Sequence, residues 1–338
     1  MLATNQSPGK IVMGEFELIE RYFRAGAVGT QTSRHDVVLG IGDDAALLRV
    51  PEGHELVAAL DTLVEGRHFP AGAPPASIGH RALAVNLSDL AAMGADPAWF
   101  LLALTLPRAE ESFLDPFARG LFALARSHGI ALVGGDTTAG PLSMSVQALG
   151  TVPSGQALRR STAREGDLLY VSGTPGDAAA GLALLQARGP EAPDAHSRHL
   201  LRRFLFPEPR VELGLSLRGL ATACIDVSDG LAADAGRLAE ASGCGVAIDA
   251  GLVPLSEALR AVRGADDALS CALRGGDDYE LCFTVPPLRV PELESRLGNV
   301  KCQVTRIGNI TGAGGVRIVR DGVPVQADVR GFDHFDSR

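Results

Sequence analysis

Lysine is almost missing from this chain: Lys10 and Lys301 are the only two in 338 residues. A nucleotide-binding phosphate loop needs a glycine-rich turn ending in lysine followed by serine or threonine. Lys10 follows Gly9, but Thr4 stands where that loop requires glycine and Ile11 where it requires a hydroxyl, so the loop is excluded. No H-R-D or D-F-G string marks a protein kinase either. Basic charge is short overall, and a formal net charge of −9 leaves no stripe able to displace counterions from a nucleic-acid backbone, so no nucleic-acid partner is expected. Long apolar runs are also absent. Stretches such as Ala98 to Leu106 fall well short of the ~20 residues of a membrane span, and no basic segment followed by an apolar one opens the chain. A cytoplasmic protein without a membrane partner is expected. Cysteine is scarce, odd in number and without a C-x-x-C pair: Cys224, Cys244, Cys271, Cys282 and Cys302 read as reduced packing residues, not a disulfide framework.

What is there is enough apolar material for two ordinary domains, since 46% of the residues are hydrophobic. Phe16, Ile19, Tyr22 and Phe23 recur at helical spacing in Glu15 to Arg24, and Gly26 and Gly29 predict the helix stop. Val37 to Leu39, Ala45 to Val50 and Glu55 to Leu60 read as short strands of a meander or hairpin. Ile78 to Met93 reads as a long helix closed by Gly94, followed by a strand at Trp99 to Leu106. A helix at Ser112 to Arg126, a strand at Ile130 to Val133, a turn at Gly134-Gly-Asp and a strand at Ser143 to Leu149 complete a first unit ending near Pro153. From Asp167 strands and helices alternate: strand Leu168 to Val171, turn Gly173 to Gly176, helix Asp177 to Ala187 and an exposed loop at Gly189 to His196. The fold class is α/β (α+β), with domains at 1–152 and 153–338.

Acidic residues recur beside glycines or hydroxyls: Gly40-Ile-Gly-Asp-Asp-Ala-Ala46, Asn86-Leu-Ser-Asp89, Gly134-Gly-Asp-Thr-Thr138, Ile225-Asp-Val-Ser-Asp-Gly230 and Gly275-Gly-Asp-Asp-Tyr-Glu280. Carboxylates without neighbouring Cys or His suit Mg²⁺ or Ca²⁺, and Mg²⁺ usually shares its sphere with substrate phosphates. Asp44, Asp61, Asp89, Asp136, Asp226 and Asp229 are the candidate ligands. A single Asp beside Gly is by default a turn or a helix cap. Asp89 is different, because it falls inside a helix pattern with Asn86 one turn earlier on the same face. Gly40 to Ala45 also fits the dinucleotide fingerprint G-x-G-x-x-A, with Asp61 beyond it. Pro51 and Gly53 leave no room for the helix that fingerprint must open, and two bare carboxylates repel a pyrophosphate. Metal ions reconcile acidic loops with an anionic substrate, so a metal-dependent phosphoryl-transfer enzyme is predicted.

These strings, in this order, resemble the thiamine-monophosphate kinase family. It belongs to the superfamily of aminoimidazole ribonucleotide synthetase, selenophosphate synthetase and hydrogenase maturation protein E. The resemblance runs from Gly14-Glu-Phe-Glu-Leu-Ile19 to Gly331-Phe-Asp-His-Phe335. It is most specific at Asn86 to Pro97, at Gly134 to Thr138 and at Asp277-Asp-Tyr-Glu-Leu281. It implies an enzyme using ATP and several Mg²⁺ ions to convert thiamine monophosphate to thiamine diphosphate, the last step in making that cofactor. It also implies a two-domain fold like that of the synthetase, whose N-terminal strands join a β-barrel shared by a homodimer, with a C-terminal α/β domain completing the site.

By motif the resemblance assigns magnesium to Asp44, Asp61, Asp89, Asp136, Asp226 and Asp229, together with positions 59 and 60. It assigns ATP to Gly135, Asp136, Arg160 and Ser228, and catalysis to Asp44, Asp61, Asp89 and Asp136. Substrate contacts fall to His68, Asp277 and Phe332. The chain departs from the pattern at Ala59 and Leu60, where hydroxylated residues are usual, leaving only the Leu60 carbonyl to serve. It departs again at Asp277, usually Glu, and at Phe332, often Tyr or Trp. A phosphate monoester is largely ionised near neutrality, its second pKa being ~6. Direct in-line transfer without a general base or phosphoenzyme is therefore expected. No cysteine precedes Cys224 to serve a selenophosphate synthetase, and no cysteine ends the chain as a hydrogenase-maturation role requires. A synthetase acting on an amide-type oxygen and a non-catalytic nucleotide binder are the remaining rivals.

Overall fold

The computed structural model describes residues 14–31, 34–298, 300–312, 314–320, 322–325 and 331. The chain opens with α1 (Glu15–Leu18), which passes through a π-helical turn at Ile19–Arg24 into α2 (Ala25–Gln31). The expected stop at Gly26 and Gly29 does not occur. Gly26 lies beneath the Phe122 ring, where a Cβ would come within 2.3 Å, so its small size serves packing and the helix runs on. The hairpin of β1 (Val37–Leu39) and β2 (Leu47–Leu48) follows, with Gly40 to Ala46 at its turn.

The next elements are β3 (His54–Val64), α3 (Pro75–Ala92), β4 (Asp96–Leu106), α4 (Glu111–Ser127), β5 (Ala131–Ala139) and β6 (Ser143–Pro153). Their sheet has the order β3-β6-β4-β5. β3 does not extend the β1–β2 hairpin into a meander, because it pairs with β6 from His54↔Pro153 to Val64↔Ser143. The Gly134-Gly-Asp turn is corrected too: all three residues lie within β5. Gly135 has φ 154°, and a Cβ there would stand 1.9 Å from the Leu102 carbonyl oxygen. Glycine is thus required by a close approach of two strands, which in sequence looks the same as a turn.

The second sheet has the order β13-β12-β9-β11-β7-β10-β8. Its strands and helices are β7 (Leu168–Ser172), α5 (Asp177–Arg188), α6 (Ala195–Leu205), α7 (Val211–Leu217), β8 (Ala223–Val227), α8 (Leu231–Ala241) and β9 (Gly245–Asp249). They continue with α9 (Glu257–Arg263), α10 (Ala265–Arg274), β10 (Glu280–Val285), α11 (Val290–Leu297), β11 (Val304–Thr311), β12 (Gly315–Arg320) and β13 (Val323–Val325). His196 is not part of the loop predicted at Gly189 to His196. It lies in α6, whose Asp194 cap accepts from the Ser197 amide at 2.8 Å.

Helix α3 joins the two halves. It packs on β3 and β6 from one side and on α7, β8 and β10 from the other. Leu83, Leu87, Leu90 and Ala91 are fully buried, so apolar residues surround it, as a helix inside a core requires. Gly79 of α3 and Gly120 of α4 meet reciprocally: a Cβ on either would lie about 2 Å from a backbone carbonyl oxygen of the other helix. Asn86 and Ser88 of the same helix are also fully buried, so each must find a protein partner.

Candidate active site

Those partners build the site. The Asn86 amide group donates to the Ala82 carbonyl at 3.1 Å and accepts from the Asp61 backbone amide at 3.1 Å. Ser88 Oγ donates to Asp226 Oδ2 at 2.9 Å. Helix α3 thereby fixes one acid on β3 and one near the end of β8, while its own Asp89 lies between them. Burial, then the charges of Asp226 and Asp61, push Asp89 up to about 8. Burial also raises Asp61, against the pull of its hydrogen bond with Asp89. Near neutral pH the protonated Asp89 carboxyl is thus the donor and Asp61 the acceptor. Asp226 is pushed to about 6 by burial, opposed by the Ser88 hydrogen bond and reinforced by Asp234. Arg160 is the cation whose field opposes these shifts at Asp89 and Asp226.

Three carboxyls driven towards neutrality first by burial, and at Asp89 and Asp226 also by neighbouring carboxylates, are a group that a divalent cation would relieve. Among the described residues, however, no three His, Cys, Asp or Glu side chains converge closely enough to hold an ion unaided. The donor set fits a hard cation completed by waters and phosphate oxygens, which is how Mg²⁺ binds, and not a closed structural site.

Asp44, Gly135 and Asp136 lie elsewhere. They line a cavity of about 980 Å³ with Asp43, walled by Phe16, Ile19 and Phe23 of the first helical segment and by Leu101 and Leu132. Asp61, Val146, Leu102 and Gly135 form one row across the sheet, with Asp61 and Gly135 on opposite edge strands. Three strand spacings separate those edges, about 14 Å. One chain therefore forms two acidic groups and does not gather the six predicted ligands at one point. Ala59 shares the helix-covered face of β3 with Asp61 by strand alternation, whereas Leu60 projects from the opposite face and is 64% exposed.

Loop 228–230 continues the first group. The Ser228 and Asp229 amides both donate to Asp234 Oδ2 at 3.0 Å, and Asp229 itself is paired with Arg237. Asp277 is tied to this loop by its amide, which donates to the Ser228 carbonyl at 2.8 Å. Its carboxylate faces a buried guanidinium, Arg81, at 2.6 Å. His68 lies just beyond β3, where its Nδ1 accepts from the Val64 amide at 3.0 Å. Phe332 is outside the described residues; its neighbour Gly331 lies against Asp229, a Cβ there coming within 3.0 Å of the Asp229 Cβ.

Sequence reasoning missed Ser88, Arg81, Asp234 and Tyr279. Arg81 carried a usable signal: it is the lone cation in the apolar helix Ile78 to Met93, and a buried arginine must be paired. Ser88 and Tyr279 sat unremarked inside strings already singled out. Asp234 gave no signal, since an acid in the first turn of a helix is ordinary.

The N-terminal domain of the AIR synthase related proteins matches residues 42–152, and the C-terminal domain of the same family matches 164–321. The thiamine-monophosphate kinase of Escherichia coli strain K12 is 51% identical over 323 residues, covering 95% of this chain and 98% of that protein. The crystal structure of thiamine-monophosphate kinase from Stenotrophomonas maltophilia K279a has a TM-score of 0.85 at 49% identity, covering 93% of this chain and 98% of that one. The structure of AaThiL complexed with AMPPCP and TMP has a TM-score of 0.74 at 32% identity, covering 97% and 99%. This chain is a member of the AIR synthase related family and, within it, of the thiamine-monophosphate kinases.

Proposed function

We propose that this protein transfers the γ-phosphoryl group of ATP to thiamine monophosphate, forming thiamine diphosphate. The observation that carries the reading is the buried Asp61, Asp89 and Asp226 group, held by Asn86 and Ser88 at the junction of the two sheets, in a chain half identical to kinases of that name. Asp61, Asp89 and Asp226 would hold Mg²⁺ there, with Asp44 and Asp136 forming the second acidic group. When bound, Mg²⁺ neutralises phosphate oxygens that the carboxylates alone would repel. Arg160 supplies fixed positive charge beside that group. The Gly135 position brings bare backbone to the wall of the large cavity, where phosphate amide contacts need no side chain. The acceptor phosphate is ionised, so no residue needs to remove a proton from it, and the chain's task is to hold two polyanions in line.

A homodimer belongs to the same reading. Leu56 and Leu60, 50% and 64% exposed, stand on the face of the four-stranded sheet opposite α3, which the β1–β2 hairpin covers only in part, and among the described residues β3 and β5 each pair on one side only. A second copy that closes the sheet removes the apolar face and the unpaired edges together. Light scattering should give twice the chain mass, and Leu56→Asp should halve it; a monomeric wild type rejects the dimer. Among the described residues no helix is long and apolar enough to cross a membrane, and all five cysteines are free. Both facts support the cytoplasmic placement.

The test of function is thiamine diphosphate formation from ATP, Mg²⁺ and thiamine monophosphate, followed by chromatography beside a free-thiamine control. Diphosphate should arise from the monophosphate alone. Protein that binds ATP and makes none overturns the reading.

A further inference from the structure

Arg81 lies on α3 two turns before Ser88, on the same helix face. Only 1% of it is exposed. Its Nη1 donates to the Phe204 carbonyl at 2.7 Å, one of the unpaired carbonyls at the C-terminal end of α6. Its guanidinium stacks 4.3 Å from the centre of the Phe204 ring, and its Nη2 donates to Asp277 Oδ1 at 2.6 Å. Tyr279 Oη donates to the same oxygen at 3.2 Å. Asp277 Oδ2 accepts nothing from the described residues, and its side chain is 29% exposed. One oxygen of this carboxylate is fixed and the other is offered outwards.

The backbone there is held against its own preference. Asp277 and Tyr279 have φ 68° and 52°, the two non-glycine residues in the left-handed region among those described. Such conformations persist only where the surroundings over-determine them. Two amide bonds, to the Ser228 and Val227 carbonyls at 2.8 Å, hold the loop to the end of β8, and Arg81 holds it to α3. Ser88 joins α3 to the same end of β8 through Asp226. The circuit ties the Asp277 loop to the strand end that carries Asp226.

We propose that Arg81 is a positioning residue for the phosphoryl acceptor: it fixes Asp277 so that its free oxygen receives an N–H donor of thiamine monophosphate, and it cancels a charge that would repel the acceptor's phosphate. This rests on the kinase reading above.

The test compares Arg81→Met and Arg81→Lys with wild type in the full chain. Arg81→Met should raise the KM for thiamine monophosphate tenfold or more, with the KM for ATP changing less than twofold. Arg81→Lys, unable to reach Phe204 and Asp277 together, should give a rise of a few-fold on the same substrate. Adding Asp277→Asn to Arg81→Met should worsen it less than twofold, because the pair acts as a unit. Equal rises in both KM values, a fall in kcat alone, or multiplying effects in the double variant would overturn the proposal. If Arg81→Met does not fold, Arg81→Lys decides by the same split between substrates. If wild type makes no thiamine diphosphate, the kinase reading fails on its own; calorimetric titration with thiamine monophosphate then judges Arg81, and a Kd unchanged in Arg81→Lys overturns its role.

Discussion

The two acidic groups of this chain differ in how they are built. Asp61, Asp89 and Asp226 come from three elements, are buried or half-buried, and are held by buried polar side chains at the Asp61 amide and the Asp226 carboxyl, with the charges of Asp226 and Asp61 opposing the ionisation of Asp89. Asp44 stands exposed on a hairpin turn and Asp136 exposed on an edge strand, both at the wall of an open cavity. The first group is preorganised by the core, so its members act on folding and chemistry together. The second is presented at the surface, so changes to its members should leave folding untouched and act, if the proposed function holds, on ligand alone.

The sharpest way to break that contrast is Asp89→Asn. Turnover should fall by roughly 10²–10³-fold, the scale of removing one preorganised electrostatic group, while circular dichroism stays native. Wild-type turnover would remove Asp89 from the site. Ser88→Ala acts one step further out, leaving Asp226 without its donor. The Mg²⁺ concentration for half-maximal turnover should rise about tenfold or more, the usual cost of losing a residue that orients a metal ligand. An unchanged Mg²⁺ requirement would mean that Asp226 needs no such support.

The third prediction concerns protonation of the buried group. Asp89 is held near 8 in the fold against an ordinary carboxylate value near 4 when unfolded, so its favourable contribution is complete below the unfolded pKa and is lost as pH rises through the folded one. EDTA-treated protein should therefore melt lower as pH is raised from about 6.5 to about 8, and Asp89→Asn should flatten that slope. A wild-type melting curve flat over that range would show that the group is not strained. Smallest on stability is Asp44→Asn, which should shift the melting temperature by less than about 2 °C. Turnover should nevertheless drop, because the loss lies on the ligand side; a large fall in melting temperature would erase the distinction between the two groups.

The acid and glycine strings were legible because metal chemistry depends on residue type, but of the predicted aspartates Asp61, Asp89 and Asp226 form one buried group while Asp44 and Asp136 line the cavity instead. The helix at α3 and the strands flanking it were legible from periodicity. Gly134 to Asp136 and Gly26 were misread for one reason: glycine is selected both by backbone torsion and by lack of space, and only the neighbour across the gap tells which. Leu102 and Phe122 are those neighbours, distant in sequence. Asp277 shows the same limit from the other side, since the resemblance assigned it to substrate while nothing local announced Arg81, its partner 196 positions away.

By itself, the sequence determined which residue types are on offer, almost no lysine and many carboxylates beside glycines, and these exclude a lysine-based phosphate loop and favour metal-assisted phosphate handling. Tertiary structure alone decided which carboxylates meet. Residues on β3, α3 and β8 become one electrostatic unit because α3 is buried between two sheets and its polar side chains have no water to bond. That constraint is long-range and many-bodied, and no local pattern of residues records it.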